Sequence, residues 1–283
     1  VIYLLFNKEL PNSDQSLEFQ EELKSRGALP EEVEQVLASL PRDGHPMDWL
    51  SIGIHTLGML GGEGDWKSDA LNLVARMPRL LGLIFRYREG RLVNIPADDL
   101  SMGLVARFTN TLDLADVDKS VMDQVIATYL VLHMDHGGGN LSTFAGKAVA
   151  SGHATVYSSM AGAMNALSGP LHGRANQSCF EFVQKIGTSD PAEVEAFVRG
   201  ELEARRPVFG FGHAVLRAED PRATVQFALG EKICPDDEYF KTIRVLREVA
   251  PRVLAENPKI SNPNANVDIA SGTLLNYLSL IHI

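Results

Sequence analysis

Cysteine is almost absent: Cys179 and Cys234 are the only two in 283 residues, and they show no patterned spacing. That excludes a disulfide scaffold or a cysteine zinc site and points to free buried thiols in a reducing compartment. Positive charge is also short, with 26 Lys and Arg against 36 Asp and Glu and a formal net charge of −10. A nucleic-acid binder would show a basic face, whereas an anionic small ligand needs only a few local arginines. No stretch reaches the roughly 18 uninterrupted apolar residues of a membrane span. The apolar start, Val1 to Phe6, has no basic flank or cleavage signal and reads as the middle of a buried helix. With no initiating Met, the expectation is a chain that begins inside a domain, any targeting segment lying upstream. Period-two strands are nearly absent, and there is no internal repeat, low-complexity linker or P-loop.

What is present is helix after helix. Hydrophobic content of 45% and charged content of 22% are ordinary for a globular protein, and the length suits about two domains. Ser13 or Asp14 is expected to cap a helix to about Arg26, closed by Gly27. Pro30-Glu31-Glu32 opens another, with Val33, Val36, Leu37 and Leu40 at helical spacing. Pro46 precedes a third. Trp66 to Tyr87 reads as a long helix kinked at Pro78. Val117 to Met134, apolar on most sides, is expected in the core and ended by His136-Gly-Gly-Gly139. Small residues fill Ser142 to Ala166 and predict close, buried helix contacts. Helices are also expected over Pro191 to Arg205, from Asp220-Pro221 to about Leu229, and within Asp236 to Asn257. The fold class is therefore all-α, with a second domain beginning near Arg174.

Three breaks between helices carry the chemistry: Ser168-Gly-Pro-Leu-His172-Gly-Arg174, Phe209-Gly-Phe-Gly-His213 through Arg222, and Asn266-Val-Asp268-Ile-Ala-Ser-Gly272. Each sets titratable side chains beside glycine or proline. Asp268 could act as a general base toward a carbon acid, and such an acid needs a donor at its developing enolate oxygen. A neutral His172 could supply that donor. His213 could polarise the carbonyl that is attacked, and Arg222 suits a carboxylate. Each residue has a structural reading as well. A histidine in a glycine-rich turn is often only a hydrogen-bonder, Asp268 could be a helix N-cap or Asx turn near Asn264 and Asn266, and Arg222 could be a solvated first-turn residue. Spacing alone does not join the segments. The His133/His136 pair lacks a further zinc ligand. Gly61-Gly-Glu-Gly64 and Gly210-Phe-Gly212 lack dinucleotide spacing.

These segments closely resemble citrate synthase, particularly the form found in mitochondria and some bacteria. Tyr87-Arg-Glu-Gly90, Phe108-Thr-Asn110, Asp135-His136-Gly-Gly-Gly-Asn140 and Ala163-Met-Asn-Ala-Leu167 extend the likeness from the first residues to about Tyr277. The resemblance implies a helical homodimer whose large and small domains close over acetyl-CoA and oxaloacetate, condensing them and hydrolysing citryl-CoA to citrate and CoA. It implies Asp268 as the base, His172 as the thioester-oxygen donor and His213 as the group polarising oxaloacetate. His136 and Arg222 would bind oxaloacetate. Arg217, with Val208, Gly210 and Ala214, would bind CoA. No metal or redox cofactor, nucleic acid or membrane is implied, and the compartment is the bacterial cytoplasm or the mitochondrial matrix. On this basis the large domain is expected over 1–173 and the small over 174–277. Residues 278–283 do not follow the family and read as a non-native tail. Two further oxaloacetate-binding arginines of the family have no counterpart here, so a gene fragment is expected. The alternatives are a 2-methylcitrate synthase using propionyl-CoA and an inactive helical relic that only binds ligand.

Overall fold

A computed structural model describes residues 1–62, 64–135, 137–213 and 215–280. Among these the chain is all-α: fourteen helices and no strand, with one isolated antiparallel bridge, Phe211 to Ala265. It divides into two compact units, Val1–His172 and Gly173–Ile283. Among the described residues no helix is long and apolar enough to cross a membrane.

The first unit holds α1 (Ile2–Asn7), α2 (Ser13–Ser25), α3 (Glu31–Ala38), α4 (Pro46–Gly61), α5 (Trp66–Arg88), α6 (Leu104–Leu112), α7 (Lys119–His133), α8 (Leu141–Ser151) and α9 (Val156–Leu167). Its largest core joins Val33 and Leu37 of α3, Trp49, Ile54 and Leu57 of α4, Leu80 and Leu83 of α5, and Tyr157 and Ala161 of α9. The helix starts follow side-chain chemistry. The α2 cap is Asn12 rather than Ser13 or Asp14, because Asn12 and Gln15 exchange reciprocal hydrogen bonds in a capping box. Asp65 caps α5, which runs on with Pro78 inside it.

Two expectations for this unit need correction. The stretch from Ser142 holds two closely packed helices, as expected, α9 starting at Val156 with Thr155 accepting the Ser158 N–H, but it is not buried throughout. Its first helix, α8, buries none of its residues, and Leu141 and Phe144 are exposed. Nor is α7 buried all round: it buries Met122, Val125 and Ile126, while Leu130 and Val131 stay exposed. The neighbouring helices cover a single face of α7. Helix α7 ends at His133; His136, expected to stop it, lies outside the described residues.

The second unit holds α10 (Ala175–Ile186), α11 (Pro191–Glu203), α12 (Pro221–Ile233), α13 (Glu238–Ala255) and α14 (Asp268–Tyr277). Phe180, Val183, Val194, Val198, Phe227, Phe240, Ile243, Leu246 and Ile269 are buried in it. The Phe180–Tyr239, Phe182–Phe197 and Phe227–Phe240 rings meet at tilted or edge-on angles, as aromatic quadrupoles prefer. Ser271 on α14 bonds the Asn176 side chain on α10, so α14 is held at its N-terminal half. Leu278 and Leu280 are buried here too. This core presents two segments on one side of the unit: the loop from Val208 to Asp220 and the turn from Asn262 to Asp268.

Candidate active site

His172 closes the first unit in a turn, its N–H donating to the Gly169 carbonyl at 2.9 Å. Its ring reaches the start of α8. The Ser142 backbone N–H donates to His172 Nε2 at 3.2 Å, and the Ser142 hydroxyl lies 3.0 Å from the same nitrogen. A backbone N–H can only donate, so Nε2 is the acceptor and the neutral ring carries its proton on Nδ1. The hydroxyl itself donates to Asn140 Oδ1 at 2.6 Å. Asn140 Oδ1 also caps α8 by accepting the Thr143 N–H at 2.9 Å. Ser142 and Asn140 were not singled out from sequence as site residues, because the bond to His172 spans thirty positions.

In the second unit the order is reversed. His213 Nδ1 accepts the N–H groups of Val215 at 3.1 Å and Leu216 at 3.0 Å. The neutral ring therefore carries its proton on Nε2. Each histidine has one nitrogen spent on backbone and the other left as a donor. The His213 loop needs left-handed backbone at Gly210 (φ 84°) and Gly212 (φ 82°), which side chains resist. At Gly210 an added Cβ would also lie 3.0 Å from Cys179 Sγ and from Ile269 Cβ.

Arg222 is committed before any ligand arrives. Its Nε and Nη2 donate to both oxygens of Asp220, at 3.0, 3.2 and 2.7 Å. Asp220 is 1% exposed and also caps α12 through the Arg222 N–H. Burial pushes the Asp220 carboxyl up, but the hydrogen bonds and charge of Arg222 outweigh that and hold it below the usual range. Sequence reading took Asp220 only as a helix start.

Asp268 is the first residue of α14, not its cap. Its N–H is bound by Asn266 Oδ1 at 3.0 Å, and its carboxylate, half-buried, accepts no hydrogen bond among the described residues. Burial raises its pKa and the Asp220 charge adds to this, opposed chiefly by the Arg222 charge. Burial first, and then the Asp268 charge, raise the Cys179 thiol well above its ordinary range. His213, Asp220, Arg222 and Asp268 thus form one electrostatic cluster. Arg217, on the same loop, is exposed and turns Nη1 onto the Leu216 carbonyl at 2.9 Å. Val208 is half-buried and Gly210 buried in that loop. His172 belongs to the other unit. His136 and Ala214 lie outside the described residues. Among the described residues no cluster of three or more His, Cys, Asp or Glu could hold a metal.

The sequence that builds this carboxylate, histidine and arginine arrangement matches a known family over nearly its whole length. The profile described as citrate synthase, C-terminal domain, matches residues 1–282. The chain belongs to the citrate synthase family. The match runs past Tyr277, where the likeness read from motifs ended. A mitochondrial 2-methylcitrate synthase of Yarrowia lipolytica is 34% identical over 301 residues, covering 99% of this chain and 64% of its own length. A mitochondrial citrate synthase of Saccharomyces cerevisiae is 35% identical over 302 residues, covering 99% and 62%. The solved citrate synthase of Pyrobaculum aerophilum is 26% identical with a TM-score of 0.86, covering 98% of this chain and 72% of that one. The chain spans less than two thirds of the length of these two curated relatives.

Proposed function

We propose that this citrate synthase family protein condenses acetyl-CoA with oxaloacetate and hydrolyses citryl-CoA to citrate and CoA. The observation that carries the reading is Asp268: a half-buried carboxylate with raised pKa and no hydrogen bond of its own, beside a histidine fixed as an Nε2 donor. Such a carboxylate is a stronger base than a solvated one. Asp268 removes a proton from the acetyl methyl carbon. His172 Nδ1–H donates to the thioester oxygen and stabilises the enolate. The enolate carbon bonds to the ketone carbon of oxaloacetate, while His213 Nε2–H donates to the ketone oxygen and protonates the alkoxide as it forms. Arg222 and His136 hold the oxaloacetate carboxylates. Arg217, Val208, Gly210 and Ala214 bind CoA. Water then cleaves the thioester and CoA leaves as the thiol. The condensation runs on proton transfers between these side chains and the two substrates, with neither metal nor redox cofactor in the scheme.

Charge limits the affinity. Around Asp268 two carboxylates face one guanidinium, and Asp220 already occupies two nitrogens of Arg222. A dianionic substrate therefore depends on cations beyond Arg222. The same reading makes the functional particle a homodimer, supported by α8, which buries none of its own residues and exposes Leu141 and Phe144. It also sets the protein in the bacterial cytoplasm or mitochondrial matrix, a reading supported by relatives whose names carry the word mitochondrial.

The test is CoA release, followed with a thiol reagent. Release that requires both acetyl-CoA and oxaloacetate, and that Asp268→Ala abolishes while oxaloacetate binding survives, is the expected result. No release from the unsubstituted protein, or persistence in Asp268→Ala, overturns the reading. The Yarrowia relative favours running propionyl-CoA in parallel; a faster rate with it makes the protein a 2-methylcitrate synthase.

A further inference from the structure

The two segments that carry His213 and Asp268 are far apart in sequence yet laced together. Gly212 N–H donates to the Asn264 carbonyl at 3.0 Å, and Asp220 N–H to the Ala265 carbonyl at 3.0 Å. Asn262 Nδ2 reaches the Leu216 carbonyl at 2.9 Å. One residue bonds Asp268 and the residue next to His213. The Asn266 backbone N–H donates to the Gly210 carbonyl at 2.9 Å. Its Nδ2 donates to the carbonyl of Gly212, the residue before His213, at 3.0 Å. Its Oδ1 accepts the Asp268 N–H at 3.0 Å.

The orientation of that amide is fixed by its partners, since one end meets a donor and the other an acceptor. No other side chain of this length can serve both. Aspartate would set an acceptor against the Gly212 carbonyl. Serine could still accept from a backbone N–H two residues on, but could not also span to Gly212. Alanine would lose both bonds.

We propose that Asn266 is a positioning residue that locks His213 and Asp268 into one frame, so that the carbonyl-polarising proton and the proton-abstracting carboxylate keep a fixed relation. This rests on the functional reading above. Asn266 touches neither substrate. It acts through the backbone on which each reacting side chain hangs, and a displacement of about 1 Å in such a frame can cost on the order of 100-fold in rate.

The experiment compares the unsubstituted protein with Asn266→Asp and Asn266→Ser by steady-state CoA release and by amide hydrogen exchange. In Asn266→Asp, whose carboxylate still accepts the Asp268 N–H, exchange is expected to speed up at Gly212, Val215 and Leu216 while α13 stays protected. With it kcat should fall on the order of 100-fold, with KM for acetyl-CoA little changed. Asn266→Ser, which keeps the Asp268 bond without setting an acceptor against the Gly212 carbonyl, should fall between the two. Exchange unchanged at those amides overturns the proposal, as does faster exchange spread evenly through the unit. Local loosening with kcat intact also overturns it. If the unsubstituted protein releases no CoA, the functional reading fails by itself, and the exchange pattern alone still decides whether Asn266 couples the two segments.

Discussion

At the scale of single residues, the site is defined by which atoms are already spoken for. His172 and His213 each give one nitrogen to backbone donors, and Asp268 gives its carboxylate to none. Holding Asp268 this way has a cost that can be measured. Its folded pKa lies above the ordinary 3.8 because of burial first and the Asp220 charge second. The folded state therefore binds its proton more readily than the unfolded chain does. The stability Asp268 contributes is fully present below 3.8 and is lost as pH rises through the higher folded value. Asp268→Asn should accordingly raise the thermal midpoint at neutral pH, with the gain shrinking toward zero below that ordinary value, while condensation is abolished. A variant no more stable at pH 7 than the parent contradicts the burial argument. The same burial makes Cys179 inert. Cys179 and Cys234 are both buried with thiols pushed well above the ordinary range. Neither should react with a disulfide reagent at pH 8 until denaturant is added.

At the scale of elements, the second unit depends on one helix start and one close contact. Asp220 both caps α12 and grips Arg222, and two substitutions separate these tasks. Asp220→Asn keeps a good cap but loses the ion pair, so stability at neutral pH should fall by that pair alone, while Arg222, freed of a competing carboxylate, should bind oxaloacetate more tightly. Asp220→Ala loses the cap as well and should cost at least ~1 kcal/mol by chemical denaturation. The grip has its own pH window: its stabilisation is present above the ordinary carboxylate range and is lost as pH falls through the depressed folded value of Asp220. Within α12, Gly230 meets α13 closely. An added Cβ there would lie 2.0 Å from Phe240 Cε2, on a ring that is fully buried. Alanine is ordinarily the better helix former, but Gly230→Ala should destabilise by about 1–3 kcal/mol because overpacking outweighs propensity. A gain in stability would show that α13 gives way at little cost.

At the scale of the whole molecule, the proposed homodimer has the most direct test. Helix α8 leaves Leu141 and Phe144 exposed, and α9 leaves Met160 exposed, an apolar surface that a second copy would cover. Sedimentation equilibrium should give the mass of two chains, and Phe144→Glu should shift it toward one without changing helix content. A parent that sediments as a single chain at all concentrations removes the dimer.

Much of this was legible in the sequence. Helix starts at Pro30-Glu31, Pro46 and Asp220-Pro221 follow from local chemistry and apolar spacing, because a helix bonds only within four residues, whereas the Asn12 and Thr155 caps came from the structure. The chemical types at His172, His213, Arg222 and Asp268 stood out beside glycines and prolines for the same local reason. Tertiary structure alone decided the rest. The proton of His172 sits on Nδ1 because Ser142, thirty positions earlier, donates to its other nitrogen. Asp268 is a raised, unbonded base because α14 is packed into the unit beside Asp220 and Arg222. Asn266 earns its place from a carbonyl fifty-four positions away. Hydrogen bonds and desolvation act between neighbours in space, and no local pattern of residues records which neighbours those will be.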